Sequence, residues 1–577
     1  MNSRRIERRA IAAEPRFQAG LHPLLQRIYA ARALRDDADI DNSLHNLHDF
    51  SSFSGIQAAV ELLTECLVKN RRILIVGDFD CDGATSSALA VRALRRFGAA
   101  QVDYLVPNRF EYGYGLTPEI VALAARRDPD LIVTVDNGIS SLAGVAAARA
   151  AGIKVLVTDH HLPGAELPVA DAILNPNLPG DGFPSKALAG VGVVFYLLMA
   201  LRAHLRSQGW FESRSIAEPN LAEFLDIVAL GTVADLVPLD RNNRVLVSQG
   251  LARLRAGRSI AGIRALLEVG KRDIKRVTAA DMGFAIGPRL NAAGRLTDMS
   301  LGIECLLTDD LMRARQLAER LDELNRTRRD IEAQMEGDAL QILAGMGLHD
   351  DDPDLPFGLC LFDETWHQGV VGIVASRIKD RVHRPVIAFA RAEDGTLKGS
   401  ARSVRGLHIR DALEAVSTRH PGLIAKFGGH AMAAGLTLSG NEFEPFAAAF
   451  DAEVRLRLTT DDLTGVIHTD GELAPEWLSL ECAMLLRNAG PWGQGFPEPC
   501  FDGEFQLLER RIVGGAHLKM LLAHPDAGRR VQAIAFRQTG DQLPADCERV
   551  RLVYRPDVNE YRGEQSLQLL VDYIEPA

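Results

Sequence analysis

The sequence predicts an α/β protein built on a doubly wound parallel sheet, and three observations lead to that class. Short apolar runs that indicate buried strands recur between Ile73 and Thr158. Segments with helical spacing separate them, and this alternation is typical of a parallel sheet with crossover helices. Three of the runs end at Asp78, Asp136 and Asp159. In such folds the functional crevice lies at the carboxyl ends of the strands, so these strand ends are candidate sites.

Length and composition limit the number of domains and the classes of protein to which the chain can belong. A chain of 577 residues predicts three or four domains. It contains no apolar run of 18 residues and no secretory signal, so neither a membrane span nor export is expected. Its seven cysteines are scattered and contain no C-x-x-C pair, which favours reduced thiols in the cytoplasm over a disulfide framework or a zinc finger.

The first strand leads into an acidic motif, in which Asp78, Asp80 and Asp82 precede Gly83. In an extended chain these carboxylates would point the same way, about 6–7 Å apart. Carboxylates this close repel one another unless cations hold them, so the motif predicts half of a metal site. An EF-hand loop is excluded because its twelfth position would be Leu89 rather than Glu. A solvated acidic turn remains the alternative.

Two further strands and one helix end in polar residues of similar chemistry. The strand Leu131–Val135 leads into Asp136-Asn137-Gly138, and the strand Lys154–Thr158 leads into Asp159-His160-His161. An apolar helix beginning near Phe224 ends close to Asp235. A single histidine at a strand end is more often structural, but several such ends at one sheet edge favour a shared site.

These four motifs, in this order and at these separations, resemble those of the DHH phosphoesterases. Within that superfamily the chain is most similar to the RecJ single-strand-specific exonucleases, since the resemblance continues through Gly287–Leu296 and Trp366–Gly372 and covers nearly the whole sequence. It implies two divalent cations, Mn²⁺ or Mg²⁺, a choice that suits carboxylates and one imidazole.

The resemblance also implies a role for each metal-side residue. Asp136 would bridge the cations and act as a catalytic residue. Asp82, His160 and Asp235 would complete one cation site, and Asp80 the other, with Asp78 bound directly or through water. His161 would face the scissile phosphate as a catalytic residue, and Asp159, also assigned to catalysis, would orient an imidazole through its ring N–H.

The expected activity is a single-stranded-DNA-specific 5′-to-3′ exonuclease that releases 5′-mononucleotides by two-metal hydrolysis, in DNA recombination and repair. The alternatives are a DHH phosphodiesterase of short oligonucleotides or cyclic dinucleotides, and an inactive scaffold that only holds single strands. The expected partner is single-stranded DNA, joined by a single-strand-binding protein and a RecQ-type helicase. A cytoplasmic monomer is expected, with no membrane association.

The second half predicts a connector and two more domains. Apolar spacing from Asp310 to Met335 predicts a long amphipathic connector helix, with a coiled-coil dimer as the alternative. The next domain resembles the α/β DHH-associated domain, which implies substrate binding across the cleft from the metals. The residues assigned to substrate binding are Arg289, Asn291, His367, Gln368, Ser400, Arg402, Gly428, Gly429 and His430.

Short alternating strands near the C-terminus predict a small β-barrel that resembles an OB-fold. The predicted strands are Gly465–His468, Phe501–Leu508, His517–Leu522, Val531–Phe536, Arg549–Tyr554 and Gln565–Val571. Residues that could line a single-strand groove are Arg510, Arg511, Lys519, Arg529, Arg530, Tyr554 and Tyr561. A purely structural barrel is the alternative.

The predicted domains are an N-terminal helical arm (1–50), the DHH catalytic domain (51–280), a motif loop with the connector helix (281–350), the DHH-associated domain (351–458) and the OB-like domain (459–577). One further feature is a basic segment from Arg241 to Arg276, with ten Lys or Arg against Glu268 and Asp273. Although the net charge is −11, this segment predicts either phosphate contacts or a solvated helix face.

Overall fold

The structure is a computed structural model that describes residues 4–11, 14–18, 20–107, 115–345, 355–526, 528–540, 543–561 and 563–577. The chain forms two compact units. The first unit comprises Ile11–Asn325 and Leu485–Glu498. The second unit comprises Met1–Ala10, Arg326–Met484 and Pro499–Ala577.

Strands and helices alternate through most of the described chain. The strands are β1 (Arg5–Arg8), β2 (Ile73–Gly77), β3 (Val102–Leu105), β4 (Leu131–Val135), β5 (Lys154–Thr158), β6 (Ala172–Leu174), β7 (Leu359–Phe362), β8 (Val386–Arg391), β9 (Leu397–Arg402), β10 (Lys426–Gly429), β11 (Ala433–Leu438), β12 (Val466–Thr469), β13 (Phe501–Val513), β14 (His517–Ala523), β15 (Arg530–Ala535), β16 (Arg549–Tyr561) and β17 (Glu564–Pro576). The helices of eight or more residues are Pro23–Ala30, Ile56–Val68, Cys81–Arg96, Pro118–Ala125, Leu142–Ala150, Gly190–Ser207, Leu225–Ala234, Arg241–Arg255, Ala261–Val269, Gly287–Leu296, Ser300–Leu307, Leu311–Gly345, Val371–Val382, Ile409–Arg419, Phe443–Arg457 and Leu480–Asn488.

The first unit contains the predicted parallel sheet, in the order β3-β2-β4-β5-β6. Strands β2 and β4 are buried at every position, as expected of apolar runs covered on both faces by helices. The register places Gly77 beside Val135 and Val135 beside Thr158. The residues that follow these three strands therefore leave the sheet next to one another, which confirms the predicted fold class.

The second unit contains the predicted second α/β domain, a sheet in the order β10-β11-β9-β8-β7. Strands β7 and β8 are parallel, and the other neighbours are antiparallel. The C-terminal strands form a closed barrel in the order β13-β14-β15-β17-β16. Only β15 and β17 of this barrel are parallel, so the OB-like prediction is confirmed with five strands.

Two predictions about the chain ends were wrong. The strand expected at Gly465–His468 is not part of the barrel, because β12 pairs in parallel with β1 in a separate two-stranded sheet. The N-terminal arm is therefore not helical throughout; Arg8 of β1 is also anchored by an ion pair to Asp502, 2.8 Å apart. Neither short strand has a partner nearby in the chain, so no local pattern indicated their pairing.

The connector helix is longer than predicted and runs from Leu311 to Gly345. The division between the two units falls inside it, at Asn325 and Arg326. The segment predicted as a motif loop is helical instead, with a π-helical turn at Met282–Ile286 before the helix Gly287–Leu296. The predicted boundary at residues 350 and 351 lies outside the described residues. None of the described helices is long and apolar enough to cross a membrane.

Candidate functional site

The acidic motif after β2 does not stay extended, contrary to the prediction that placed all three carboxylates on one strand face. Asp80 caps the helix Cys81–Arg96, and its Oδ1 accepts hydrogen bonds from the backbone N–H of Asp82 at 2.9 Å and of Gly83 at 3.0 Å. Asp82 therefore lies in the first helical turn. A Cβ on Gly83 would lie 2.4 Å from the carbonyl oxygen of Asp78, so this tight turn requires glycine.

Asp82 is held by the start of another helix, Gly190–Ser207. Its carboxylate accepts hydrogen bonds from the backbone N–H of Gly190 at 2.6 Å and of Val191 at 3.0 Å. The positive end of a helix stabilises an anion at this position. A Cβ on Gly190 would lie 2.7 Å from the Cβ of Asp136, so glycine is required here as well. The glycines of the segment Ala189–Val193 predict a close packing point with a phosphate cradle as the alternative, and the structure shows the close approach at Gly190.

Asp136 occupies the centre of the site, directly after β4. It is 2% exposed and has a positive φ of 61°, a conformation that is uncommon for residues other than glycine. The side-chain amide of the next residue, Asn137, donates to the carbonyl oxygens of Val76 at 3.0 Å and Val135 at 2.9 Å. This amide ties β2 to β4 at the edge from which Asp78 and Asp136 emerge.

The two adjacent histidines face different carboxylates. His160 Nε2 lies 3.1 Å from Asp136 Oδ1 and 3.5 Å from Asp235 Oδ2. His161 Nδ1 lies 2.7 Å from Asp159 Oδ1, and the other oxygen of Asp159 accepts from the N–H of Ile139 at 2.9 Å. His160 thus joins the central carboxylates, whereas Asp159 orients the ring of His161.

The helix Leu225–Ala234 brings the last predicted carboxylate, Asp235, to the same place. Asp235 follows the final residue of this helix. Inside the helix, a Cβ on Gly231 would lie 2.9 Å from Asp82 Oδ1 and 2.3 Å from Thr85 Oγ1. The glycine therefore allows the helix to approach the acidic motif closely.

Burial and the charges of neighbouring carboxylates raise the pKa values of three aspartates at this site. Burial, followed by the charge of Asp80, raises the pKa of Asp82 to about 7. Burial and then the charge of Asp82 raise the pKa values of Asp136 and Asp235 well above their ordinary value. Burial alone would raise the pKa of Asp159, but the hydrogen bond and charge of His161 hold it below its ordinary value.

The arrangement fits divalent cations. Among the described residues, three groups offer ligand atoms within 4.8 Å of one another: Asp78, Asp80 and Asp136; Asp82, His160 and Asp235; and Asp136, His160 and His161. Asp136 and His160 each belong to two of these groups, and the bridging role of Asp136 stays a prediction. Carboxylate oxygens with imidazole nitrogen are a donor set suited to Mn²⁺ or Mg²⁺, and the raised carboxylate pKa values show that positive charge would be favourable here.

Two residues assigned to substrate binding contact protein groups in the first unit. Arg289 is 9% exposed, and its guanidinium forms an ion pair with Asp322 at 2.7 Å. Asn291 Oδ1 accepts from the backbone N–H of Cys81 at 2.7 Å and so supports the acidic motif. These contacts give both residues a positioning role, and their contact with substrate stays a prediction.

The other predicted substrate residues lie in the second unit, and three of them share one sheet face. The register aligns Ser400 of β9 with Gly435 of β11, and Gly435 with Gly428 of β10. Arg402 lies two residues after Ser400 on β9 and donates to Ser400 Oγ at 3.0 Å. We call this surface the Ser400 face. Lys398, which belongs to the same motif but is not among the residues assigned to substrate binding, also lies on it, two residues before Ser400.

The remaining residues predicted to bind substrate lie just before the helix Val371–Val382 or at the end of β10. His367 Nδ1 accepts from the N–H of Gly369 at 3.0 Å, and Gln368 Nε2 donates to the carbonyl oxygen of Arg391 at 3.3 Å. Gly429 has φ of 147°, and a Cβ there would lie 2.4 Å from Ala434 Cα. The backbone N–H of His430 donates to the carbonyl oxygen of Ala433 at 2.8 Å in the turn after β10.

The barrel residues proposed for a single-strand groove differ in accessibility. Tyr554 is 1% exposed and packs edge-on against Phe505, so the prediction that its side chain lines a single-strand groove was wrong. Arg510 donates to the carbonyl oxygen of Pro544 at 2.9 Å, and Arg529 donates to that of Pro475 at 3.3 Å. The side chain of Tyr561 lies outside the described residues.

Comparison with known proteins agrees with this architecture. Three family models match: the N-terminal domain of the DHH family at residues 72–232, the DHHA1 domain at 356–456 and the RecJ OB domain at 469–573. The chain is 57% identical to the single-stranded-DNA-specific exonuclease RecJ of Dickeya dadantii over 570 residues, which is 99% of each chain.

Two solved structures resemble the whole fold. The crystal structure of RecJ in complex with Mn²⁺ from Thermus thermophilus is 31% identical, with a TM-score of 0.78, over 96% of this chain and 76% of that chain. The corresponding Mg²⁺ complex is 29% identical, with a TM-score of 0.73, over 96% and 75%. Because the chain is 57% identical to a RecJ protein over 99% of both chains, it belongs to the RecJ family.

Proposed function

We propose that the protein is a metal-dependent exonuclease specific for single-stranded DNA, which it degrades from the 5′ end to 5′-mononucleotides in recombination and repair. The observation that carries the proposal is the meeting of Asp78, Asp80, Asp82, Asp136, His160 and Asp235 at one sheet edge. The relative at 57% identity, named as a single-stranded-DNA-specific exonuclease, supports the substrate class.

These six side chains would hold the cations, which when bound neutralise phosphate charge and lower the pKa of an attacking water. The protein's own groups supply the remaining chemistry. Burial would lower the pKa of His161, but the hydrogen bond and charge of Asp159 raise it above its ordinary value. With Nδ1 directed at Asp159, a protonated ring keeps its Nε2–H as a donor for a phosphate or leaving oxygen.

Substrate binding is assigned to a different surface. The Ser400 face supports this role because Arg402 and Lys398 are cations beside glycines, which allow a phosphate backbone to approach closely. The guanidinium of Arg402 is already directed by Ser400 Oγ and by the carbonyl oxygen of Ala401 at 2.8 Å. The closed barrel supports contact with single strands, as is common for OB-folds.

We extend the proposal to setting and partners. Cytoplasmic location is supported by seven free cysteines. A single-strand-binding protein and a RecQ-type helicase would supply accessible single strands, and the protein would act as a monomer.

The test is digestion of 5′- and 3′-labelled 50-mers, single-stranded and duplex, with Mn²⁺ or with a chelator. We expect early release of the 5′ label as a mononucleotide from the single strand only, and only with metal. The Asp136→Ala variant should lose cleavage but bind the strand within about twofold of the wild type, whereas the control Asp128→Ala at the opposite edge of the sheet should cleave normally.

Early release of the 3′ label, or equal digestion of duplex, would contradict the proposal. A trinucleotide substrate tests the alternative activity on short oligonucleotides. That alternative would be favoured only if the trinucleotide were cleaved and the 50-mer were not.

A further inference from the structure

The basic segment between Arg241 and Arg276 divides into two groups in the structure. Several of its arginines have protein partners: Arg244 donates to the carbonyl oxygen of Leu239 at 3.1 Å, and Arg255 donates to that of Val277 at 2.9 Å. By contrast, the side chains of Arg253, Arg258 and Arg264 have no carboxylate within 4.0 Å among the described residues. Of the three, Arg253 acts at longer range on the buried carboxylate of Asp226, whose pKa its charge lowers.

These three arginines meet two more in an open pocket of about 410 Å³ in the first unit. Arg92 and Arg96, from the last two turns of the helix Cys81–Arg96, complete the set. Among the residues that the structure describes, two carboxylates line the pocket: Asp309 pairs with Arg92, and Glu223 lies 3.3 Å from Arg96. The pocket therefore has an excess of positive charge.

A buried aspartate fixes the shape of this pocket. Asp226 is fully buried, and its Oδ2 accepts from Ser259 Oγ at 2.8 Å and from the N–H of Ile260 at 3.0 Å. Its other oxygen accepts from the N–H of Ile227 at 2.9 Å. These bonds fix the turn at Ser259 and Ile260, directly after Arg258, in the wall of the pocket.

The same turn leads into the helix Ala261–Val269, and Ile260 and Ala261 line the pocket. No side chain caps this helix start. A helix N-terminus attracts anions, yet Arg264 places a cation in the first turn, where a cation is unfavourable. A bound anion would offset the repulsion between the Arg264 cation and the positive end of the helix, and it would accept hydrogen bonds from the uncapped N–H groups. Helix N-termini commonly bind phosphate in this way.

The pocket is remote from the metal-side cluster. Asp82 and Arg96 belong to the same helix and are fourteen residues apart. At a rise of about 1.5 Å per residue, they are about 21 Å apart. One ligand phosphate cannot reach both places.

We infer that this arginine pocket is a second anion site that binds phosphate groups, from either a nucleic-acid strand or a free nucleotide or pyrophosphate. Guanidinium groups bind phosphate bidentately, and the volume is in the range of small-ligand sites, about 300–1,000 Å³. An acidic peptide is the competing ligand for a cluster of arginines, and the experiment includes it as an outcome.

The experiment measures binding of pyrophosphate by calorimetry, without divalent metal, to three proteins. They are the wild type, Arg258→Glu/Arg264→Glu, and the control Lys271→Glu/Lys275→Glu. Both variants change the net charge equally within one segment, but only the first alters the pocket. We expect at least tenfold weaker binding for the first variant and less than twofold change for the control.

A second arm uses a phosphorothioate single strand that resists cleavage, and it distinguishes the two sources of phosphate. Pocket-dependent binding of pyrophosphate indicates a free ligand; pocket-dependent binding of the strand alone indicates backbone phosphates; both support the inference. Equal loss in both double variants, no pocket-dependent binding of either probe, or binding of an acidic peptide only would overturn it.

Two further measurements keep the result interpretable. Hydrogen exchange of residues 253–264 should slow when the probe binds, and this readout is independent of the substitutions. Thermal unfolding of both variants should match the wild type, since Arg258 and Arg264 are exposed. Because binding is measured without metal or cleavage, failure of this inference is distinct from failure of the proposed exonuclease activity.

Discussion

The edge of the parallel sheet in the first unit and the Ser400 face of the second unit carry opposite charge: carboxylates cluster at the first and cations at the second. At the sheet edge, buried carboxylates converge from strand ends and helix ends, and their pKa values rise because burial and then the charges of neighbouring carboxylates disfavour the ionised form. On the Ser400 face, cations lie beside small residues on a partly exposed sheet surface. The first arrangement favours small, hard cations, and the second favours the phosphates of an extended ligand. Substitutions at each surface test whether the first binds metal ions and the second binds phosphates.

The largest effect is expected from the two adjacent histidines. His160→Ala and His161→Ala should each lower cleavage by on the order of 10³- to 10⁴-fold. Only His160→Ala should also abolish the rise in melting temperature produced by Mn²⁺, because His160 lies between Asp136 and Asp235 whereas Asp159 holds His161. Equal loss of Mn²⁺ stabilisation in both variants would contradict the separate roles. His204→Ala, in the last turn of the helix Gly190–Ser207, is the control.

The carboxylate edge should make the metal-free protein less stable as the pH rises. Folded Asp82 has a pKa of about 7, against an ordinary value of 3.8, so the folded state holds a proton that the unfolded state has lost. Stability is therefore greater at pH 5 than at pH 8, by roughly 3 kcal/mol from this group. Urea unfolding in a chelator at both pH values measures it.

Asp82→Asn should remove only the share of this pH dependence that Asp82 contributes, because the raised pKa values of Asp136 and Asp235 act in the same direction. The cations of the Ser400 face contribute none of it. A metal-free wild type that is equally stable at pH 5 and pH 8 would show that the carboxylates do not repel one another as described.

Close packing at the sheet edge can be tested with a single methyl group. Gly190→Ala should lower cleavage by about 10²-fold, because its Cβ would lie 2.7 Å from the Cβ of Asp136 and displace a metal-side carboxylate. Gly192→Ala is the matched control: its Cβ would meet the flexible side-chain end of Leu188 at 2.9 Å. Similar kinetics for the two variants would argue against this packing.

The smallest effect is expected on the Ser400 face. Arg402→Lys should raise KM for a single strand about tenfold and leave kcat nearly unchanged, because lysine cannot bind phosphate bidentately. Arg405→Lys, at an exposed position after β9, should leave both constants unchanged. A fall in kcat at constant KM would instead place Arg402 in the chemical step.

The parts that could be predicted from sequence are those with a local signal. Apolar runs ending in Asp78, Asp136 and Asp159 identified the strands and the site together, because parallel strands end at one edge. The capping role of Asp80 was missed because the three aspartates were treated as extended, although Gly83 allows the helix to begin there.

Other features depend on residues distant in sequence and could not be predicted. The pairing of β1 with β12 joins residues about 460 positions apart, and the pattern that predicted a strand at Gly465–His468 did not indicate its partner. The partner of Arg289 is Asp322 on the connector helix, and Asn291 binds the backbone of Cys81. Sequence motifs marked these residues as important but did not show that their contacts are with the protein.

The first unit is formed by two segments that are far apart in the sequence, and this affects how it folds during synthesis. Its last piece, Leu485–Glu498, carries Trp492 and Phe496, which pack with Tyr29, and the carbonyl oxygen of Ala489 accepts from the Tyr29 hydroxyl at 2.7 Å. About 160 residues are translated between Asn325 and this piece. At a translation rate of about 5–20 residues per second, the segment Leu485–Glu498 is synthesised on the order of 10–30 s after the rest of the first unit. Tyr29 and its apolar neighbours remain uncovered on the ribosome during that interval, a window in which a chaperone could bind.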